Sequence, residues 1–525
     1  MSSHSTPASP LLKAPLSPQD VWALDEILNK QPAFHFVGIG GAGMSALALA
    51  LHHKDFNVSG SDLQRSATTE HLEAAGLTIF YGHHATQVPA HAVLIISTAI
   101  DEQNPELQIA LERQQVIWHR SQVLQCLIHS TRLGTETTIG LTGTHGKTTL
   151  TGLMDSILHG AGLDVMSIAG GKLPHLNQNI RLANHPRYCV AELDESDGTI
   201  LRYAPTFTIL ANLELDHADH YTHGLEELLH TFRCFLTQLT SLPSASPHPQ
   251  TLILNGQCPH TRQMVSSLPE GVRVAWLIDR PEIVPEFKGT DDVFLIQTSG
   301  NSDASYTLSQ RPINADVNTW HALGSFKLSV PGWHNAWNAS MTAMVGHYLS
   351  IPWSKIAEGL HAFTGMGRRF EVLGHYQGAL LVDDYAHHPT EVVATLSATR
   401  QYMHDQSRHG KLMACFQPHR YTRLKALWDD FLNAFQQADV LYLLETYHAH
   451  EAPIEGITSE AFAKALQQQF PHAAIHYAPD PAVLIQTLQS QAREGDLILS
   501  MGAGNITTLL RGWPASEKEA AYVVD

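Results

Sequence analysis

Residues 138–162 read TIGLTGTHGKTTLTGLMDSILHGAG: an apolar strand-like run, a loop carrying Gly143 and Gly146, and a helix-like run from Lys147 onward. Glycines at such a junction let backbone N–H groups surround phosphate oxygens, while Lys147 can reach the β- and γ-phosphates and Thr148 offers its hydroxyl to a divalent cation. The loop departs from the commonest phosphate-binding pattern, which would place glycine where Leu141 stands. A polar turn is the plainer reading, but Gly-Lys-Thr-Thr between a strand and a helix predicts nucleotide binding. The fold class follows from the same junction. A phosphate loop feeding a helix implies a parallel α/β sheet, whose ligands gather at the carboxyl ends of the strands.

An earlier stretch, FHFVGIGGAGMSALALA at 34–50, has the same layout. Gly38, Gly40 and Gly43 match G-x-G-x-x-G, and Asp62 follows about 20 residues on, where a ribose is commonly read. Alone, this fingerprint reads as an NAD-dependent oxidoreductase. Its physics requires only a diphosphate at a helix N-terminus, so Gly40, Gly41, Ala42 and Gly43 are expected to cradle one, whichever nucleotide carries it.

The chain has 525 residues, enough for several domains, and the alternation of apolar runs with helical patterns divides it. Residues 1–31 are expected to be a disordered leader, 32–135 a first Rossmann-like domain, 136–364 a central phosphate-loop domain and 365–525 a third, again Rossmann-like. Residues 241–312 read as surface loops around a few strands, with no chemistry assigned. A net charge of -18 argues against binding nucleic acid, and no apolar run reaches the roughly 20 residues of a membrane span. Five scattered cysteines without C-x-x-C spacing suit a reducing cytoplasm. The paired histidines 52–53, 83–84 and 387–388 are adjacent rather than helically spaced, so no metal cage is read from them.

Two acidic clusters follow the phosphate loop, AELDESDG (191–198) and NLELDHADHY (212–221). Phosphoryl transfer needs carboxylate or imidazole ligands facing such a loop, and strand ends deliver them, although any one acidic loop is ordinarily just solvated. Further on, LVDDYAHHPTEV (381–392) and FQPHRYTR (416–423) each follow an apolar strand. Arg420 and Arg423 offer planar donors for a carboxylate, and Arg368 with Arg369 suits a transferred phosphoryl group.

GTHGKTT, AELDESD, NLELDHADHY, PGWHNAWNA, GRRF, DDYAHHPTEV, FQPHRYTR and MGAGNI stand in the order seen in the Mur ligases, which the chain resembles from about 35 to 510. The resemblance implies three domains and ATP-dependent joining of L-alanine to the lactyl carboxylate of UDP-N-acetylmuramate through an acyl phosphate, with Mg²⁺ as cofactor and Mn²⁺ as a substitute. It implies a cytoplasmic enzyme, monomeric or weakly dimeric, without nucleic-acid or membrane partners. Carried over by motif, Gly143, Thr144, His145, Gly146, Lys147, Thr148 and Thr149 hold the ATP phosphates, His334 and Asn338 the adenine, and Arg369 with Arg368 the γ-phosphate. Thr148, Glu192 and His217 are the implied metal ligands. The UDP-sugar falls to the first glycine loop, Asp62, His83, Ser97 and Thr98, and the alanine to Tyr385, His387, Arg420 and Arg423. Lys147, Glu192, His217, Arg369 and His387 are the implied catalytic set.

The chain departs from the family where Trp333 replaces the usual arginine and where E-L-D-E-S-D replaces E-A-D-E-S-D. No lysine lies between His217 and Lys288, so a carbamylated lysine is not expected at the metal site. The alternatives are a ligase of the same family that attaches a preformed murein tripeptide, the oxidoreductase above, and a nucleotide-binding protein without activity. PHRYTR and DDYAHHPTE favour free L-alanine.

Overall fold

The computed structural model describes residues 18–513, apart from 175, 177, 218–219, 243–245, 300–304, 313–314 and 450. Three sheets follow one another along the chain. The first contains β1 (Phe34–Val37), β2 (Val58–Asp62), β3 (Thr78–Tyr81), β4 (Val93–Ile96) and β5 (Ile117–His119), all parallel, in the order β3-β2-β1-β4-β5. Strand order reverses between β1 and β4, and the first glycine loop leaves β1 at that switch point, where α/β sheets bind ligands.

The central sheet has ten strands: β6 (Thr137–Thr142), β7 (Val165–Ile168), β8 (Ile180–Arg181), β9 (Tyr188–Glu192), β10 (Phe207–Leu210), β11 (Thr251–Asn255), β12 (Arg273–Ile278), β13 (Asp292–Thr298), β14 (Ser305–Arg311) and β15 (His321–Lys327). Its order is β15-β14-β13-β12-β11-β10-β6-β9-β7-β8, parallel from β7 to β13 with antiparallel strands at both edges. β6 is buried at every position, as a strand covered on both faces must be. Its neighbours β9 and β10 bring both acidic clusters to the same edge as the phosphate loop.

The third sheet contains β16 (Glu371–Tyr376), β17 (Ala379–Asp384), β18 (Leu412–Phe416), β19 (Val440–Leu443), β20 (Ala474–Tyr477) and β21 (Leu497–Met501), in the order β16-β17-β21-β18-β19-β20. Only β16 runs antiparallel, on the edge. One apolar core runs from the first sheet, through Phe34, Leu47 and Trp118, onto one face of the central sheet at Phe232, Leu252 and Trp276. The opposite face packs against the helices Lys147–Gly160 and Trp333–Tyr348, through Leu150, Leu153, Ala339 and Met344. The third sheet has its own apolar layer on each face. The chain is a three-domain α/β protein. Among the described residues no helix is long and apolar enough to cross a membrane.

The leader expectation is corrected in part. Residues 1–17 lie outside the described residues, but Pro18–Asn29 is a helix rather than a disordered segment. Val21, Leu24 and Leu28 recur at helical spacing and are buried. Asp25 accepts hydrogen bonds from the Ser130 hydroxyl and from Thr131, through Oγ1 at 2.7 Å and the backbone N–H at 3.1 Å. The stripe of three apolar residues is short, and it stands next to Pro- and Ser-rich text that reads as disorder.

Candidate active site

The phosphate loop leaves β6 with Gly143 at φ 123° and Gly146 at φ 87°, conformations that side-chain-bearing residues rarely adopt. A Cβ at Gly143 would stand 2.8 Å from the Asn212 carbonyl oxygen, so the loop lies directly on the end of β10. Asn212 also binds it through its side chain, accepting from His145 N–H at 2.8 Å and donating to the His145 carbonyl at 3.1 Å. Lys147 Nζ donates to the Gly143 carbonyl at 2.8 Å and to both oxygens of Glu195, each at 2.8 Å. Burial opposes the charge on Lys147, but Glu195, Asp194 and Glu192 outweigh it and hold the ammonium above its ordinary range. Burial, with Asp194 beside it, pushes Glu195 up to about 7 despite Lys147.

Thr148 Oγ1 donates to Glu192 Oε2 at 3.0 Å, and Gly170 N–H binds the same oxygen at 2.7 Å. These hard oxygen donors fit Mg²⁺. His217 stands 4.0 Å from Glu195 and 3.8 Å from Asp216, in a left-handed conformation with φ 53°. Strained non-glycine backbone recurs at Arg368, Phe370 and Arg420, on the facing domain.

A cavity of about 920 Å³ opens between the central and third domains. His145, Gly146 and Thr149 form one end, and Trp333, His334, Asn335, Trp337 and Asn338 a side wall. Asn338 packs against the phosphate loop, its carboxamide 3.2 Å from where a Cβ on Gly146 would be. His334 opens onto the cavity, whose walls, with Arg369, shift its pKa downward. The third domain contributes Arg369, Thr390, Glu391 and Ala394.

Two expectations need correction here. Arg368 does not join Arg369: its Nη2 donates to the Gly502 carbonyl at 2.6 Å and its Nε faces Asp383 at 3.4 Å, within its own domain. Arg368 takes a left-handed turn conformation, φ 60°, with its guanidinium on Gly502 and Asp383, so of the two only Arg369 lines the cavity. Conversely, the segment 241–312, assigned no chemistry, supplies Asn255, Gln257, Asp279, Arg280, Thr298 and Tyr306 to the wall. The signal was present in LILN and AWLID, polar residues ending apolar strands at the edge where a parallel sheet binds.

The Mur ligase family description for the catalytic domain matches residues 33–132, that for the middle domain 141–346, and that for the glutamate ligase domain 368–504. The chain is 37% identical over 494 residues to a UDP-N-acetylmuramate--L-alanine ligase of Geobacter sp. (strain M21), spanning 93% of this chain and 99% of that protein. It is 36% identical over 495 residues to the ligase of the same name from Gloeobacter violaceus, with 93% and 96% covered. The chain belongs to the Mur ligase family. In fold it is similar to the UDP-N-acetylmuramate-alanine ligase of Thermotoga maritima, with a TM-score of 0.69, 23% identity and 91% and 97% of the two chains covered. A murein peptide ligase of Psychrobacter arcticus gives a TM-score of 0.63 at 21% identity, with 92% and 100% covered.

In this Mur ligase the arginines expected to take a carboxylate are not free. Arg423 is buried, and its Nε and Nη2 both donate to Asp216 Oδ1, at 3.0 and 2.8 Å. Arg420, Arg423 and His217 line one small cleft of about 10 Å³. Tyr385 and His387, expected in the same pocket, do not line it. The Tyr385 ring lies between the Arg368 and Arg369 guanidiniums, at 4.9 and 5.0 Å, and His387 Nδ1 is 2.9 Å from the Tyr385 carbonyl. Burial, with Arg423 nearby, pushes His387 down to about 3.

At the first glycine loop, Asp62 Oδ2 accepts from Gly40 N–H at 2.9 Å, so this carboxylate braces the loop. The helix Ala42–His53 still presents its first-turn N–H groups. His83 Nδ1 is 3.1 Å from Glu106 and 3.0 Å from Ser61, turned toward a fully buried carboxylate that His35 also binds at 3.0 Å. Ser97 and Thr98 follow β4 beside the switch point, half-buried and exposed. Arg120 is a residue that sequence reading missed. Its Nη1 lies 3.0 Å from a Cβ position on Gly43 while Nη2 binds Asp194 at 3.0 Å, bridging the two glycine-loop sites. Only its place at a helix start after β5 hinted at this.

Proposed function

We propose that the protein joins L-alanine to the lactyl carboxylate of UDP-N-acetylmuramate with hydrolysis of ATP to ADP and phosphate, in the cytoplasm, as a monomer or weak homodimer. The observation that carries this reading is the pairing of Lys147 and Thr148 with Glu195 and Glu192 on a loop whose His145, Gly146 and Thr149 line a cavity to which another domain contributes Arg369. The names of relatives 34–37% identical over more than nine-tenths of the chain support the same choice.

ATP is assigned to the large cavity, phosphates on Gly143–Thr149 and base near His334. Lys147 would exchange Glu195 for the β- and γ-phosphate oxygens. Thr148 and Glu192 would hold Mg²⁺ or Mn²⁺, with His217 on the acyl side. When bound, the cation draws charge from the phosphate oxygens and orients them. The lactyl carboxylate attacks the γ-phosphorus, ADP leaves, and the poorly electrophilic carboxylate becomes an acyl phosphate. The alanine amine then attacks the carbonyl carbon, the C–N bond forms, phosphate departs and the amine proton is released. Arg369 faces the transferring group, and domain closure keeps water from the acyl phosphate.

The test is phosphate release from ATP with UDP-N-acetylmuramate plus L-alanine, murein tripeptide or buffer. Release that requires L-alanine and is lost in Lys147→Ala is the expected result. Release that requires the tripeptide would assign the recycling reaction instead, and equal release in all three would leave an uncoupled ATPase.

A further inference from the structure

The cleft between the central and third domains contains a polar cluster that the phosphoryl-transfer reading does not use as a metal site. His145 comes from the phosphate loop, Glu214 from the segment after β10, and His388 caps the helix Pro389–Asp405. One ligand atom from each lies within 4.8 Å of the other two. His145 Nε2 is 3.6 Å from Glu214 Oε2, and His388 Nδ1 is 3.8 Å from the same oxygen. A tetrahedral ion with bonds of about 2.0–2.1 Å sets its ligands roughly 3.4 Å apart, so both separations need only a few tenths of an ångström of contraction.

The opposite ring nitrogens are already engaged. His145 Nδ1 is 3.2 Å from Glu391 Oε1, and His388 Nε2 is 3.3 Å from the Leu215 carbonyl. A carboxylate and a carbonyl each call for an N–H there, which leaves a lone pair on His388 Nδ1. Burial opposes charge on His145, but Glu391 and Glu214 outweigh it and raise its pKa to about 9, so a cation would take the place of the Nε2 proton that faces Glu214. His145 Nε2 is buried and has no hydrogen-bond partner. His388 Nδ1 receives only a long contact from Thr390 N–H, at 3.4 Å. Histidine ligands held from behind by a carboxylate and a backbone carbonyl are the usual second layer of a metal site.

We propose that His145, Glu214 and His388 bind a divalent transition cation of zinc type, with Glu391 and the Leu215 carbonyl fixing the two imidazoles. Two imidazoles and one carboxylate suit Zn²⁺ or Co²⁺, whereas the oxygen donors Thr148 and Glu192 suit Mg²⁺. Binding displaces any proton on His145 to solvent and forms two metal–nitrogen bonds and one metal–oxygen bond. The ligands come from two domains, so the ion pins the third domain to the phosphate loop.

The test uses the full chain without nucleotide, in saturating Mg²⁺, titrated with Co²⁺ and then Zn²⁺. This readout needs no substrate and does not depend on the ligase reading. One equivalent of Co²⁺ should give the intense visible absorption of a tetrahedral site, abolished by one equivalent of Zn²⁺. The band should disappear in His388→Ala and in Glu214→Gln, persist in His84→Ala, and Glu391→Gln should weaken Zn²⁺ binding by roughly 10–100-fold. X-ray absorption on the Zn²⁺-loaded wild type needs no variant, and should find two imidazoles in the first shell. A weak octahedral spectrum, a band that survives in both ligand variants, or a first shell without two imidazoles would each overturn the proposal.

Discussion

Trp333 lies at the N-terminus of the helix Trp333–Tyr348, 42% exposed, with its ring on the large cavity near Tyr306 and Trp337. A flat aromatic surface left open on the cavity proposed for ATP is suited to stacking on the base, and such stacks contribute about 1–3 kcal/mol. Trp333→Ala is therefore expected to raise the KM for ATP about tenfold with kcat little changed, and Trp333→Phe to restore most of it; steady-state kinetics at saturating UDP-sugar and alanine measures both. Glu106 makes a separate prediction. Burial alone would raise its carboxyl, but His35, Ser61 and His83 hold it below its ordinary 4.5. The folded state thus prefers the carboxylate, and that contribution is complete above the unfolded value and is lost as pH falls through the lower folded one. Glu106→Gln should lower stability near neutrality by about 1–3 kcal/mol, and thermal unfolding against pH should show the gap to wild type closing below pH 4.5. Among single residues, Lys147, Thr148 and Glu192 were legible because a motif ties each to its neighbours in sequence. The partners of Asp62, Arg368 and Arg423 were not, because nothing local says which carboxylate, amide or carbonyl a side chain will meet.

Elements were legible where their period was long or their burial complete. The continuous apolar runs of β6, β10 and β18 are what strands covered on both faces require. Short edge strands such as β8, with two residues, carry no such signal. The helix Pro18–Asn29 was missed for a similar reason: its apolar stripe is three residues long, and its docking rests on Asp25 meeting Ser130 and Thr131, more than a hundred positions away. Asp25→Ala removes the acceptor for three hydrogen bonds and should destabilise the first domain by about 1–3 kcal/mol. Calorimetry should show the loss in the transition assigned to that domain, and an unchanged profile would mean that the helix is held by its apolar face alone.

On the scale of the molecule, the contacts that join the third domain to the central one include Arg423 with Asp216, Thr390 with Glu214 at 2.6 Å, and Glu391 with His145. The first is a buried ion pair, and removing one partner of such a pair commonly costs about 3–5 kcal/mol because the remaining charge is stranded. Asp216→Asn should therefore loosen the domain interface, seen as faster hydrogen exchange over 421–427 and as expansion in small-angle scattering. The same change should raise the KM for alanine if Arg423 has to be positioned for a carboxylate. By itself, the sequence determined the α/β class, the two glycine loops and the acids that follow β9 and β10, because a strand, a turn and a helix start are encoded in contiguous residues. Only the tertiary structure decided that Arg120 would bridge both loops, that Asn255, Asp279, Arg280 and Tyr306 would line the large cavity, and that His145 would meet Glu391 across 246 positions. Those contacts depend on how separately built sheets dock, and docking is set by surfaces that no local pattern in the chain records.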